Sequence, residues 1–283
     1  MSWIAFAGKE LFRKRIFPVT FVLSLLFVSL FTFGVYKIST NFEGHVETLA
    51  GNVSDSIVLM TLGLLFSQMI IAFFILFTTM GAISGEIENG LMLAILSRPI
   101  PRWKVYLGKY AGYAFWLVLY AAIMYFAIMM PVHYLLHFPM LPLTLLKTFL
   151  LFIWTPLLLL AVCMLGSTFL PMLGNGVACA MLYGLSMFSG FAENIFNKVG
   201  ENEMVSRFAF LLKLLMPANS MLNRITFELL DGLELPLPTQ AVESMGPFAT
   251  FNVPSNAFVG YTIVYLIIIL ALGCFGFRKK DIA

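Results

Sequence analysis

Apolar residues gather into six long runs, at about 16–36, 57–83, 106–131, 147–170, 174–191 and 255–277. Polar segments rich in charge, proline and asparagine separate them. A helix needs about 20 apolar residues to cross a hydrocarbon core of ~30 Å, and each run is near or above that length. The runs are continuous rather than alternating, so they predict spanning helices. Run 57–83 carries no charge at all, and 174–191 is the shortest. Between 192 and 254 the pattern changes. Phe208 to Met216 is apolar but too short to cross, and Pro217 ends it. A second helix is expected from Asn219 or Ser220, either of which can cap it, to about Asp231-Gly232. Arg224 and Glu228 stand one turn apart on it. Pro236, Pro238, Pro247 and Pro254 then predict irregular chain. Re-entrant or interfacial helices capping the outer face are expected here, not a separate domain.

Composition agrees with this reading. Of 283 residues, 60% are hydrophobic and 11% charged, against about 25% charged in an average soluble domain; mean hydropathy is +0.94. Such a chain cannot hide its apolar surface in a soluble core. A soluble enzyme, a disordered linker and a nucleic-acid binder are excluded. The fold class expected is an all-α polytopic membrane protein, one domain over 1–283. Cys163, Cys179 and Cys274 lie inside apolar runs without a CxxC pair, so they read as packing residues. Basic residues ahead of 16–36 mimic a secretion leader. That run is too long and no small-x-small site follows cleanly, so it reads as a retained span.

Charge sets the orientation. With both termini inside, the inner segments hold 11 of the 17 basic residues but only four of the 14 acidic ones. The positive-inside rule therefore predicts cytoplasmic termini in a cell membrane. No ionisable residue falls in the middle of a run; Gln68, Asn175 and Ser186 are polar but do not titrate. Ion-coupled transporters and voltage sensors place charge there. No GxxxxGK[ST], HExxH or GxSxG occurs, so neither a phosphate-binding loop nor a common intramembrane hydrolase pattern is present. Glu86 and Glu88, two apart on a helix, make a poor acid/base pair. Any energy for transport has to come from a partner.

The inner segment between the second and third runs is the most informative. Ile87, Leu91, Ala94 and Ile95 fall on one helical face, and Pro99 and Pro101 end the helix. A short amphipathic helix joined to two spans suits force transmission; it equally suits a helix lying on lipid. At the N-terminus, Trp3, Ala7 and Leu11 recur at i, i+4 and i+8, with Lys9, Arg13 and Lys14 toward headgroups.

Here the sequence resembles a known family. Glu86, Gly90, Leu96, Pro99, Arg102, Gly108 and Lys109 look like the signature of ABC type-2 permeases. Lys9-Glu10-Leu11 with Arg13 and Arg15, and Phe275 through Arg278, Lys279 and Asp281, resemble the family's two ends. Within it, the subgroup for multi-copper enzyme maturation, which includes the nitrous oxide reductase maturation permease, is the one resembled. The resemblance implies a permease of export type that pairs with a second copy or a paralogue. It also implies a separate cytoplasmic ATP-binding subunit, which would carry ATP and Mg; this chain would hold no cofactor. Glu86, Glu88, Gly90, Leu91, Ile95, Arg98, Pro99 and Arg102 would bear on that subunit. Trp3, Lys9, Arg13 and Lys14 would form an interface helix on the lipid bilayer. Spans one and five would meet at the dimer seam, where Gly176, Ala180 and Gly184 allow close approach; the same ridge also suits packing within one subunit.

His133 and His137 stand at i and i+4 with Met129, Met130 and Met140 near, a pattern a metal such as Cu(I) can use. Pro131 and Pro139 bracket them and argue against helical geometry, so no metal site is assigned. Two alternatives remain open. One is a membrane anchor that transmits force without cargo. The other is a membrane enzyme using outer His and acidic residues.

Overall fold

The computed structural model describes residues 3–42, 49–96, 100–136, 141–199, 203–218, 220–231 and 254–280, and every element among them is helical. In chain order these are α1 (Trp3–Arg13), α2 (Ile16–Phe42), α3 (Leu49–Thr79), α4 (Ser84–Glu88), α5 (Leu91–Leu96), α6 (Arg102–Leu136), α7 (Pro142–Phe169), α8 (Met172–Val199), α9 (Glu203–Leu215), α10 (Ser220–Asp231) and α11 (Asn256–Lys279). Six are long and apolar enough to cross a membrane: α2, α3, α6, α7, α8 and α11. The expected all-α polytopic architecture is therefore the one observed.

Local chemistry sets several boundaries. Pro142 opens α7 behind an extended Leu141, where its missing N–H costs nothing. Pro171 forces Leu170 into the extended region, which separates α7 from α8. Ser255 caps α11, its Oγ accepting from Phe258 N at 3.3 Å, and Arg278 and Lys279 complement the dipole at the other end. Pro131 does not end α6, contrary to expectation. The helix runs on to Leu136 and contains His133; His137 lies outside the described residues.

α3 and α7 form the buried centre, while α2, α8 and α11 turn most of their surface outward. α6 packs on α1, α2, α3, α7 and α11. At 35 residues it is about 52 Å long, well beyond a ~30 Å core. Its first turns therefore project past the hydrocarbon, on the face where α1, α4 and the end of α11 also meet. We call this the terminal face.

On the opposite face, α9 and α10 form a re-entrant hairpin. α9 packs on α8, and α10 on α7 and α3. Carbonyls at and just past the end of α9 find hydroxyls on two spans. Tyr261 Oη donates to Leu214 O at 2.8 Å, Tyr265 Oη to Leu215 O at 2.6 Å and Ser186 Oγ to Met216 O at 2.9 Å. Ser186 and Tyr265 lie well inside α8 and α11, so the hairpin tip is embedded. The expected Arg224–Glu228 pair forms at 2.6 Å, and Lys147 of α7 joins it at 3.2 Å. Ser220 does not act as a side-chain cap. Its buried Oγ has no hydrogen-bond partner among the described residues; Asn219 lies outside them.

Candidate functional site

The segment joining α3 to α6 is not one amphipathic helix. It breaks at Asn89-Gly90, where Gly90 has φ of 71°, a conformation that costs a side chain about 1–2 kcal/mol. Ile87 and Leu91 consequently fall on two helices, α4 and α5, and do not share a face. Ile87 is half-buried and Leu91 exposed. The side chains of Ala94 and Ile95, and Arg98 and Pro99 altogether, lie outside the described residues.

α4 is fastened on three sides. Ser167 of α7 accepts from the backbone N–H groups of Ile83 and Ser84, at 2.9 and 3.0 Å. These are orphan donors at a helix start. Glu88 Oε1 accepts from Met172 N, the first residue of α8, at 3.2 Å. Glu86 is buried and paired with Lys109 of α6, whose ammonium also donates to Ala82 O at 2.8 Å. Glu86 thus faces into the molecule. Its second carboxylate oxygen, Oε2, has no hydrogen-bond partner among the described residues.

A second ion pair extends the cluster to α1. Glu10 is bound by Lys14 at 2.9 Å and accepts from Tyr113 Oη, of α6, at 2.6 Å. Burial alone would raise the Glu10 carboxyl, but Lys14 and Tyr113 outweigh it and hold the group below its ordinary value. Lys14 does not reach toward headgroups. It turns inward and donates to Thr78 O, at the end of α3, at 2.6 Å. The reason is local: the end of α3 leaves carbonyls without intrahelical partners, and an ammonium one turn beyond Glu10 can serve both. Ala7 and Leu11 are buried and Trp3 half-buried, as the i, i+4, i+8 spacing implies. Gly112 permits this contact, since a Cβ there would lie 2.8 Å from Trp3 O. Lys9 and Arg13 are exposed.

Arg102 closes the face. Its Nη1 donates to Arg278 O at 3.1 Å and Lys280 O at 2.8 Å, and Lys280 Nζ donates to Thr168 O at 2.8 Å. Asn175, fully buried in α8, donates to Met80 O at 2.8 Å and Cys163 O at 3.0 Å, tying α8 to α3 and α7. Among the described residues of α4 and α5, the exposed ones are Glu88, Leu91 and Leu93, with Asn89 and Gly90 exposed between the two helices. α4 is thereby fastened to α6, α7 and α8, and α6 in turn packs on α1.

The structure places Glu86, Glu88, Lys14 and Arg102 on the terminal face in separate contacts: Glu86 with Lys109, Glu88 with Met172 N, Lys14 with Glu10 and Thr78 O, and Arg102 with Arg278 O and Lys280 O. Lys109, Glu10, Tyr113, Ser167 and Asn175 make the supporting contacts but were not assigned a role from sequence; the i, i+4 spacing of Glu10 and Lys14 was the available signal. The small-residue ridge of α8 divides. Gly176 packs against Met80 of the same chain, whereas Ala180 is exposed and Gly184 faces open space. Among the described residues, no group of three or more His, Cys, Asp or Glu could hold a metal ion.

No curated protein matches this chain. The model of one family, described as the ABC-2 family transporter protein, matches residues 4–282. Six spanning helices agree with that match, and it extends over both the joint on the terminal face and the hairpin opposite. The chain belongs to the ABC-2 family of transporter proteins, as a permease component of an ABC transporter.

Proposed function

We propose that this permease is the membrane half of an ATP-driven exporter, energised by a separate cytoplasmic ATP-binding subunit seated on α4–α5. The observation that carries the reading is the fastening of α4 to three spans behind the exposed Leu91 and Leu93 of α5. The ATP-binding subunit supplies ATP and Mg. Its nucleotide-driven closure displaces α5, and the joint tilts α3, α6, α7 and α8 as a set. The terminal face is then cytoplasmic, in keeping with its excess of Lys and Arg. The permease acts as a pair, with a second copy or a paralogue. The outward surfaces of α2 and of α8 around Ala180 and Gly184 are available for that contact. Within the family, the Lys9-Glu10-Leu11 and Phe275–Asp281 patterns favour the multi-copper enzyme maturation subgroup.

Tagging the chain at its C-terminus, solubilising it mildly from its host and identifying what co-purifies tests this. An ATP-binding subunit in near-equal amount is expected. Recovery of the chain alone, also after cross-linking, would count against the reading. An anchor without cargo would keep the ATP-binding partner but show no ATP-dependent cargo movement in vesicles.

A further inference from the structure

The first helix and α6 enclose an open groove that the joint does not use. It has a volume of about 370 Å³, within the ~300–1,000 Å³ range of ligand clefts. Ala5, Gly8, Phe12 and Trp116 form its apolar lining, with Lys9 and Arg13 beside them. Gly8 gives the groove its floor, since a Cβ there would lie 2.7 Å from Trp116 Nε1. The indole is held in place. Its N–H donates to Ile4 O at 3.0 Å, and Phe12 meets it edge-on at 5.3 Å. With that N–H engaged, the ring presents only apolar surface to an occupant.

Lys9 and Arg13 stand one turn apart on α1, both exposed, and neither has an ion-pair partner among the described residues. Glu10, the only acid on α1, is engaged by Lys14 and Tyr113. The groove therefore carries two positive charges and no counter-charge of its own. Its level also points to lipid. α1 crosses α6 between Gly108 and Trp116, and Trp116 is about 21 Å from the start of a helix roughly 52 Å long. The crossing thus lies in the first half of the apolar run 106–131, the part of α6 that meets lipid. Beyond it Phe115, Leu119 and Ile123 are exposed one turn apart along α6, which continues the apolar track toward the bilayer centre.

We propose that this groove binds one phospholipid with an anionic headgroup. An acyl chain lies against Gly8, Phe12 and Trp116 and follows α6. The headgroup's negative charge sits between Lys9 and Arg13. A zwitterionic headgroup finds no acid among the lining residues for its ammonium. The inference goes beyond the transport reading and does not depend on export or on an ATP-binding partner.

Native mass spectrometry of the full chain in mild detergent tests it, with equal amounts of phosphatidylglycerol and phosphatidylcholine offered. One phosphatidylglycerol is expected to be retained with a preference of at least about tenfold. The double variant Lys9→Gln/Arg13→Gln should bring the preference close to one. Lys104→Gln, an exposed cation on the same face, should leave it intact. Ala5→Phe, which fills the groove, should reduce retention of both lipids and provides a separate test should the double variant fold poorly. Equal retention of the two lipids would overturn the proposal. So would a preference that survives Lys9→Gln/Arg13→Gln, or one lost equally in Lys104→Gln. Displacement of the lipid by millimolar inorganic phosphate would also overturn it, because the site would then be a plain anion site.

Discussion

Lys109 reaches from α6 to Glu86 on α4 and, with the same ammonium, to the carbonyl of Ala82 that precedes α4. One cation thus neutralises a buried carboxylate and holds the backbone entering the helix. Removing one partner of such a pair strands the other, at a cost of about 3–5 kcal/mol, whereas replacing both with apolar groups is often neutral. Lys109→Met is therefore expected to lower the unfolding temperature sharply in detergent. Glu86→Leu/Lys109→Met should recover most of that loss. A double variant as unstable as Lys109→Met would mean that the bond to Ala82 O, not charge pairing, is the larger contribution.

Leu91 and Leu93 are exposed on α5, so their substitution separates contact with a partner from folding. Leu91→Glu and Leu93→Glu should leave unfolding within about 0.5 kcal/mol of the parent. Co-purification of the proposed ATP-binding subunit should fall at least about tenfold. Gly90→Val forces a branched residue into a left-handed position and should re-aim α5, at a cost of about 1–2 kcal/mol. Undiminished co-purification in all three would place the subunit elsewhere on the terminal face.

Glu10 gives the attachment of α1 a pH dependence. Its folded-state carboxyl is held below the ordinary value of 4.5. The stability it contributes is complete above that value and is lost as pH falls below it, through the lowered folded value. Ala7, on α1, is buried against α6. In a Cys274→Ser background, a cysteine replacing Ala7 should become faster to label with a maleimide after acid exposure. Glu10→Gln should flatten this acid dependence. A rate that rises equally with and without Glu10→Gln would assign the acid response to another group.

The hairpin tip depends on hydroxyls. Tyr265→Phe leaves Leu215 O, and Ser186→Ala leaves Met216 O, without the donor seen here. An unsatisfied acceptor kept from water, by protein at Met216 and by lipid at Leu215, costs about 1–3 kcal/mol. Both changes should destabilise by amounts in that range, whereas Tyr36→Phe, on the exposed surface of α2, should be neutral. Thermal unfolding in detergent provides the comparison. Neutral values at Tyr265 and Ser186 would mean that water replaces the lost donors and reaches the tip.

The six spans and the α9–α10 hairpin were legible in sequence, because continuous apolar length and Pro217 are local signals. The break at Gly90 carried a local signal too, Asn-Gly, yet the apolar spacing of Ile87, Leu91 and Ala94 concealed it. Pro131 misled in the other direction, because packing carries α6 through a residue that would end an isolated helix. The pairing of Glu86 with Lys109 was not legible. Their separation of 23 residues reflects no helical period; it depends on how α4 folds back on α6. Lys14 was misread for a similar reason. A basic residue on an amphipathic helix ordinarily points to headgroups, and only the open carbonyl of Thr78, 64 residues later, turns it inward.

Arg102 gives the terminal face an order of assembly. It stands at the start of α6, yet the carbonyls it holds belong to residues 176 and 178 positions later. During synthesis α1 can dock on α6 early, through Trp3, Ala7 and Glu10. The guanidinium at the start of the same helix waits until α11 has entered the membrane. Closing so distant a contact is slow compared with local packing. A chain stalled before α11 therefore displays an open arginine on this face, and a finished chain does not. The seam between Arg102 and the end of α11 is thus a built-in record of whether the bundle has been completed.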